Sequence, residues 1–501
     1  MSILTTLQLL PLVGAIVIAI LPVANAKLIK QVALGFSLLV TAVSIFMAFA
    51  FDTGDSALQF TEVRTWISAF NINYAVGIDG MALALILMTT ILVPIVFLAG
   101  WNESENGRWS VKTFYILLLI LETMMIGVFA ATDVFLFYVI FEAMLLPVYF
   151  LIGGYGVGER AAAAMKFLLY SLFGGLLMLA AVIGLYIIST NQGGATFDIS
   201  KLSELTIDSA TQNWLFLGFF IAFAIKAPLW PFHTWLPTTA KSATAGTSTL
   251  LLGVLDKVGT YGMIRFCMSF FPEATKTFTP AIITLAVISI LYGAFLAIGQ
   301  KDINSLIAFT SISHFGFITL GIFALTSQGL TGAIFYMVNH GFSTAALFLT
   351  AGWMIKRRGS SQIADFGGLQ RVTPVLAWSF FLAGMSALAL PGLSSFVSEF
   401  LVLLGSFAKY PVAAILGTTG IILAALYVLL AVQRSLHGET PAANVGIPDL
   451  NLREKIAIAP VIAVLVVLGF YPKPVLNVIN PTTETIMIHA GVTDPIAKVA
   501  K

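Results

Sequence analysis

The stretch "FAIKAPLWPFHTWLP", residues 223–237, puts Lys226 at the end of an apolar run and follows it with Pro228, Pro231 and Pro237. Proline offers no backbone donor and clashes with the carbonyl four residues back, so a helix arriving at Lys226 must break just beyond it. Inside a bilayer such a break is tolerated only where the freed carbonyls and the ammonium face protein or water. The surrounding chain says that this is a bilayer: 59% of its 501 residues are hydrophobic and 10% are charged, and the mean hydropathy is +0.98. No soluble core of that length has such a composition. The fold class expected is an all-α integral membrane protein.

Outward from that stretch, polar breaks divide the chain into about fourteen apolar segments, at roughly 3–24, 28–50, 78–100, 112–131, 133–154, 163–189, 213–232, 245–272, 280–299, 303–325, 330–355, 374–405, 411–435 and 454–473. The basic residues test the count independently. The odd-numbered loops and their flanks hold roughly fifteen Lys and Arg, whereas the even-numbered loops hold only Arg64, Lys201, Lys276 and Lys409. That asymmetry places the odd loops in the cytoplasm and both termini outside. The stretch "LLPLVGAIVIAILPVANA" (residues 9–26) resembles a cleaved signal, but Lys27 and Lys30 follow it and nothing basic precedes it, so it reads as a retained first helix. Residues 51–77 read as an external capping hairpin or strand pair. The tail beyond residue 473 contains Pro474, Pro481 and Pro495 and is not expected to extend as one long helix. Its Lys473, Lys498 and Lys501 are tail charges.

The single cysteine, Cys267, excludes disulfides, iron–sulfur clusters and cysteine zinc sites. A net charge of +2, with no basic stripe, carries no message about nucleic acid. "GGYGVGER" (153–160) follows a membrane helix, not a strand, and so is no dinucleotide fingerprint.

What remains are charges inside the segments: Lys226, Lys257 and Arg265, with Glu122, Asp133, Glu142, Asp256 and Glu399, plus His314 and His340. Each charge at a helix centre costs on the order of 2.5–3.5 kcal/mol on insertion scales, so these groups should face the bundle interior and mark a pathway. Lys257 lies too deep for its stem to reach the surface. It has Asp256 beside it, but neighbours in sequence point to different faces of a helix, so Asp256 is either unpaired or the partner of another helix. Glu142 needs a cation, which Lys226 or Lys257 would supply. Arg265, Glu122 and Asp133 lie nearer span ends, where capping or snorkelling is expected.

"ALALPGLSSFVSEFLVLLG" (387–405) repeats the opening device, with Pro391-Gly392 ahead of Ser394, Ser395 and Glu399. Broken helices seven and twelve, five apart, suggest two inverted five-helix repeats, helices 4–8 and 9–13. The division expected is residues 1–111 for helices 1–3 with the external loop, 112–272 for the first repeat, 273–435 for the second, and 436–501 for helix 14 and the tail. Moving a carboxylate toward or away from a desolvated lysine switches it between holding and releasing a proton, and histidines can pass protons between such sites.

Six stretches carry a family resemblance: "YVIFEAMLLPVYFLIGGYG" (138–156), the opening stretch, "GVLDKVGTYGMIRF" (253–266), "QKDINSLIAFTSISHFGF" (300–317), "NHGFSTAALFLTAG" (339–352) and "LPGLSSFVSEFLVLLGSF" (390–407). In this order and spacing they resemble the antiporter-like membrane subunits of respiratory complex I, the NADH-quinone oxidoreductase. Glutamate at position 399, where the L- and N-type branches carry lysine, is similar to the M-type branch, the counterpart of mitochondrial chain 4. The D subunit of multi-subunit sodium/proton antiporters is the alternative.

The resemblance implies that Glu142 pairs with Lys226 in the input half, that Lys257 connects to His314 and His340, and that Glu399 serves the output half. It implies a translocase subunit with no redox centre or metal of its own, in a bacterial plasma membrane, beside L- and N-type subunits. NADH, FMN, iron–sulfur clusters and quinone belong to the rest of the complex. One departure stands out: where the family often reads Leu-Pro-Asp-Ala-His, this chain has Leu236-Pro237-Thr238-Thr239-Ala240, with Lys241 next. Water or Lys241 is then expected to serve proton uptake, or a different loop supplies it.

Overall fold

The computed structural model describes residues 2–105, 107–492 and 494; Pro495, Lys498 and Lys501 lie outside them. Helices α1 (Ile3–Ile20) and α2 (Ala26–Phe49) are followed by an antiparallel hairpin, β1 (Gln59–Ile67) and β2 (Ile72–Ile78). This is the strand pair expected of residues 51–77. Glu62 on β1 ties the hairpin to the start of α1, accepting from the Ser2 amide at 2.7 Å and the Thr5 hydroxyl at 2.6 Å. Asp79 then caps α3 (Gly80–Ala99) by accepting from the Ala82 amide at 2.9 Å. Helix α4 (Val111–Ala130) completes the first group.

The fifth segment is two helices, α5 (Val134–Ala143) and α6 (Leu145–Tyr155), divided at Met144; Pro147 removes the donor that the Ala143 carbonyl would use. After α7 (Arg160–Thr190) and the short α8 (Ile199–Ser203), α9 (Ser209–Lys226) stops at the lysine, as its prolines require. The break leaves its carbonyls satisfied. The Leu229 amide takes the Ala224 carbonyl at 3.0 Å in place of the donor Pro228 lacks, and the Trp235 indole N–H takes that of Ile225 at 2.9 Å. Helix α10 (Trp235–Ser242) follows.

The eighth segment differs from the plain helix expected. It consists of α11 (Ala245–Leu250), a π-helical turn at Leu251–Leu255, α12 (Asp256–Gly262) and a second π turn at Met263–Met268. Hydropathy is blind to a widened turn, because the same apolar residues fill it. Gly259 lets α12 lie on the end of α9, since a Cβ there would meet the Phe223 carbonyl and the Ala227 nitrogen at 2.6 Å.

Helices α13 (Pro272–Ile298), α14 (Ile303–Phe323) and α15 (Ser327–Arg358) are unbroken. Helix α15 runs through the centre of the bundle, buried throughout its apolar window, and is the least apolar of the ten single helices that could cross a membrane. After α16 (Leu369–Val372), the twelfth segment divides into α17 (Pro374–Ala387) and α18 (Ser394–Phe407), with Ala389 at φ +58° and Gly392 at φ +93° in the turn between. Helices α19 (Pro411–Leu436), α20 (Leu452–Phe470) and α21 (Lys473–His489) end the described chain.

Helix α21 is an addition to the expected tail. Pro474 sits in its first turn, where no donor is needed. It turns 71° from α20 and binds back onto α3, where the Thr482 hydroxyl accepts from the Gly80 amide at 3.1 Å. Among the described residues ten helices are long and apolar enough to cross a membrane, with the α20–α21 pair an eleventh. That count takes the divided α5–α6 as one span; the remaining expected segments, seven, eight and twelve, are interrupted more sharply.

Candidate functional site: a line of buried titratable groups

Lys226 ends α9 with its side chain buried and its ammonium without a hydrogen-bond partner. It lies over the Phe141 ring at 5.0 Å and the Phe167 ring at 5.6 Å, where cation–π attraction partly replaces lost water. Glu142, next to Phe141 on α5, packs into the space left by Gly175 on α7; a Cβ at Gly175 would occupy the position of its carboxylate. Glu142 and Asp256 are the carboxylates near enough to act on the Lys226 charge. No direct ion pair closes between Glu142 and Lys226, and Glu142 Oε1 is itself unpartnered. The pair is held apart, with Phe141 against the lysine.

Asp256 and Lys257 open α12 at the bundle centre, both fully buried. They do not bond to each other. Both Asp256 oxygens lack a partner, so the expected alternative of a partner on another helix is not met. Its carboxylate acts on Lys257 first and on Lys226 after it. Lys257 donates to the Leu252 carbonyl. Its Nζ also meets His340 Nδ1 at 2.7 Å and lies 5.1 Å over the Phe315 ring.

Beyond His340 the line continues. The His314 ring stands perpendicular to the His340 ring at a centroid distance of 5.2 Å, and the Tyr336 ring is 5.7 Å from His314. The Tyr336 hydroxyl donates to Glu399 Oε2 at 3.4 Å. The structure thus brings Lys257, His340, His314 and Glu399 into one series. It adds Tyr336, which the sequence reading missed although it lies one helical turn before His340 on α15. Asn339 was missed as well: its amide donates to the Ser394 carbonyl at 2.9 Å and to the Ser398 hydroxyl at 3.1 Å, fixing the break before α18.

Other expectations divide. Asp133 caps α5 by accepting from the Phe135 and Leu136 amides at 2.9 and 3.0 Å, as its end position predicts; Arg265 neither caps nor snorkels but closes an ion pair with Asp79 at 2.5 Å. Glu122 corrects the reading: it lies inside α4, fully buried, with neither oxygen bonded. Its segment extends further on both sides than a span-end position allows. Lys241 is exposed and lines a cavity of about 620 Å³ with Glu159, Thr238 and Ser305. Among the described residues no group of three or more His, Cys, Asp or Glu could hold a metal ion.

Broken helices beside buried lysines and carboxylates, joined by histidines through an apolar bundle, define the class of helical membrane proteins that move charge across a bilayer. The chain belongs to the NADH:quinone oxidoreductase/Mrp antiporter membrane family, whose pattern it matches over residues 131–424. It is 48% identical to NADH-quinone oxidoreductase subunit M of Mycobacterium tuberculosis, over 99% of this chain and 96% of that protein. Among solved structures it is similar to a chain of respiratory complex I from Thermus thermophilus with bound NADH, with a TM-score of 0.89, 30% identity and coverage of 98% of this chain and all of the other. A chain of the Mrp complex from Dietzia sp. shares the fold, with a TM-score of 0.84 at 21% identity over 97% of this chain and 98% of the other.

Proposed function

We propose that this chain is the M-type proton-translocating membrane-arm subunit of an NADH-quinone oxidoreductase, coupling redox chemistry in other subunits to proton movement. The observation that carries this reading is the buried series Lys257–His340–His314–Tyr336–Glu399, with Lys226, Glu142 and Asp256 at its start. Charges and histidines so far from water have no structural reason to be there that apolar residues would not serve better.

The first half, residues 112–272, takes up a proton at Lys226. Glu142, parted from Lys226 in this arrangement, is the carboxylate whose approach or retreat decides whether that lysine keeps its proton. Asp256 bridges electrostatically to Lys257. His340 accepts from Lys257 at Nδ1, and the remaining groups carry the proton to Glu399 in the second half, residues 273–435. With Thr238 and Ala240 in place of an acid and a histidine, the cavity beside Lys241 supplies water for uptake. The redox partners, NADH, FMN, iron–sulfur clusters and quinone, act elsewhere in the complex, and L- and N-type subunits flank this one. The excess of basic residues in the odd loops supports both termini outside, and the likeness to a bacterial subunit M supports a bacterial plasma membrane. The 48% identity to a subunit M, against 21% to the Mrp chain, favours this reading over an antiporter D subunit.

The test measures NADH-driven proton pumping and quinone reduction in membranes carrying Glu142→Ala or Lys226→Ala, with assembly checked on a native gel. Pumping should be lost with assembly intact. Normal pumping and reduction would make these charges structural and withdraw the pathway.

A further inference from the structure

Lys257, Tyr261 and Arg265 follow at four-residue intervals along the eighth segment and so climb one face of it, from the bundle centre toward the side where the β-hairpin lies. The last two touch: Arg265 Nε donates to the Tyr261 hydroxyl at 3.2 Å, and the guanidinium lies 5.2 Å over the same ring. The Tyr261 hydroxyl is itself committed to the Phe129 carbonyl at 3.0 Å. At its other end the guanidinium binds Asp79 at 2.5 Å, and that carboxylate is anchored by the Ala82 amide. Beyond the pair opens a cavity of about 380 Å³ that Asp79 and Arg265 line together with Ser200, Glu204, Thr485 and His489. It is polar and wide enough for water. Water from that face therefore meets Arg265 first, and the next titratable groups inward on the same helix face are Tyr261 and Lys257.

A guanidinium keeps its charge at any physiological pH, and this one is fixed, with Nε turned to the tyrosine on the Lys257 side and its terminal nitrogen turned to Asp79 in the cavity. A fixed cation on a narrow polar route repels an arriving proton. We propose that Arg265, held by Asp79, is the electrostatic barrier that closes the first half of the bundle on the hairpin side, so that Lys257 exchanges its proton through His340 and not directly with the water beyond. The inference rests on the proposed role of Lys257 as a carrier of the translocated proton.

The experiment uses the whole complex in proteoliposomes without NADH, under an imposed pH gradient with potassium and valinomycin, and reads passive proton flux. Arg265→Gln should raise the flux several-fold, Arg265→Lys should keep it low, and adding Lys257→Ala to Arg265→Gln should return it to the starting level. If Arg265→Gln does not assemble, Arg265→Met gives the same reading, because it fills the space of the stem and removes the charge. Flux equal to that of the unaltered complex in an assembled Arg265→Gln or Arg265→Met variant overturns the barrier, as does a leak that survives Lys257→Ala. Unimpaired NADH-driven pumping by Lys257→Ala alone would instead remove the parent reading, whatever the leak.

Discussion

His340 Nδ1 lies 2.7 Å from Lys257 Nζ, and the same histidine's ring stands perpendicular to His314 at 5.2 Å, so one side chain on α15 joins the lysine on α12 to the histidine on α14. Its other nitrogen faces the Thr344 hydroxyl at 3.2 Å, which fixes the ring's rotation. Replacing His340 with Gln keeps a polar group but removes the titratable ring. The expected outcome is a fall in proton pumping of about a hundredfold, the low side of what a positioned acid–base group contributes, with the complex assembled. Proton uptake and quinone reduction measured together would show it; pumping within a factor of two of normal would remove His340 from the path.

Tyr336→Phe deletes only the hydroxyl that reaches Glu399. Loss of one hydrogen bond in a membrane interior costs about 0.6 kcal/mol, so the fold should be unaffected. Pumping should slow and show a larger solvent deuterium isotope effect if the hydroxyl relays the proton. An unchanged rate and isotope effect would make Tyr336 a packing residue.

Gly175→Ala places a methyl where the Glu142 carboxylate now lies. Either the carboxylate moves or the α5–α7 contact opens, at about 1–3 kcal/mol of overpacking. Pumping should drop together with thermal stability, and Gly175→Ser should behave alike. A variant with native melting and native pumping would show that Glu142 is not confined there.

The Thr5 hydroxyl, aided by the Ser2 amide, holds the Glu62 carboxyl down at about 2 from an ordinary 4.5. A depressed carboxylate stabilises the fold above its unfolded value, and that contribution disappears as pH falls through the folded one. The anchorage of the hairpin on α1 should therefore persist at pH 5 and weaken progressively from about 4.5 toward 2. Hydrogen-exchange protection at residues 2–5, relative to the intrinsic rate at each pH, should fall across that interval, and Glu62→Gln should abolish that fall.

Much of the fold was legible because a bilayer leaves few choices: apolar length gives the helices, and prolines at 228 and 391 give the two breaks. The π turns around Asp256 and Lys257 left no trace in hydropathy, since widening a turn changes no residue type. Helix α21 was hidden by its prolines, one of which stands in the first turn where it does no harm. In the site, lysines, carboxylates and histidines were conspicuous by the expense of burying them. Tyr336 and Asn339 were not, because an uncharged hydroxyl or amide is unremarkable in an apolar segment until its partner is known. The distance between Glu142 and Lys226 was likewise beyond reach, as it depends on how α5, α7 and α9 pack and not on any of them alone.

The central position of α15 also bears on how the chain enters its membrane. This helix carries Tyr336, Asn339, His340 and Thr344 on its path-facing side, and as the least apolar of the ten single spans it is the one that lipid alone solvates worst. His340 finds its partner on α12, which precedes it in the chain, and the Tyr336 hydroxyl and Asn339 amide find theirs on α18, which follows it. The growing polypeptide must therefore hold α15 among protein neighbours until α18 has been made, so that biogenesis of the two halves is joined at the same helix that joins their chemistry.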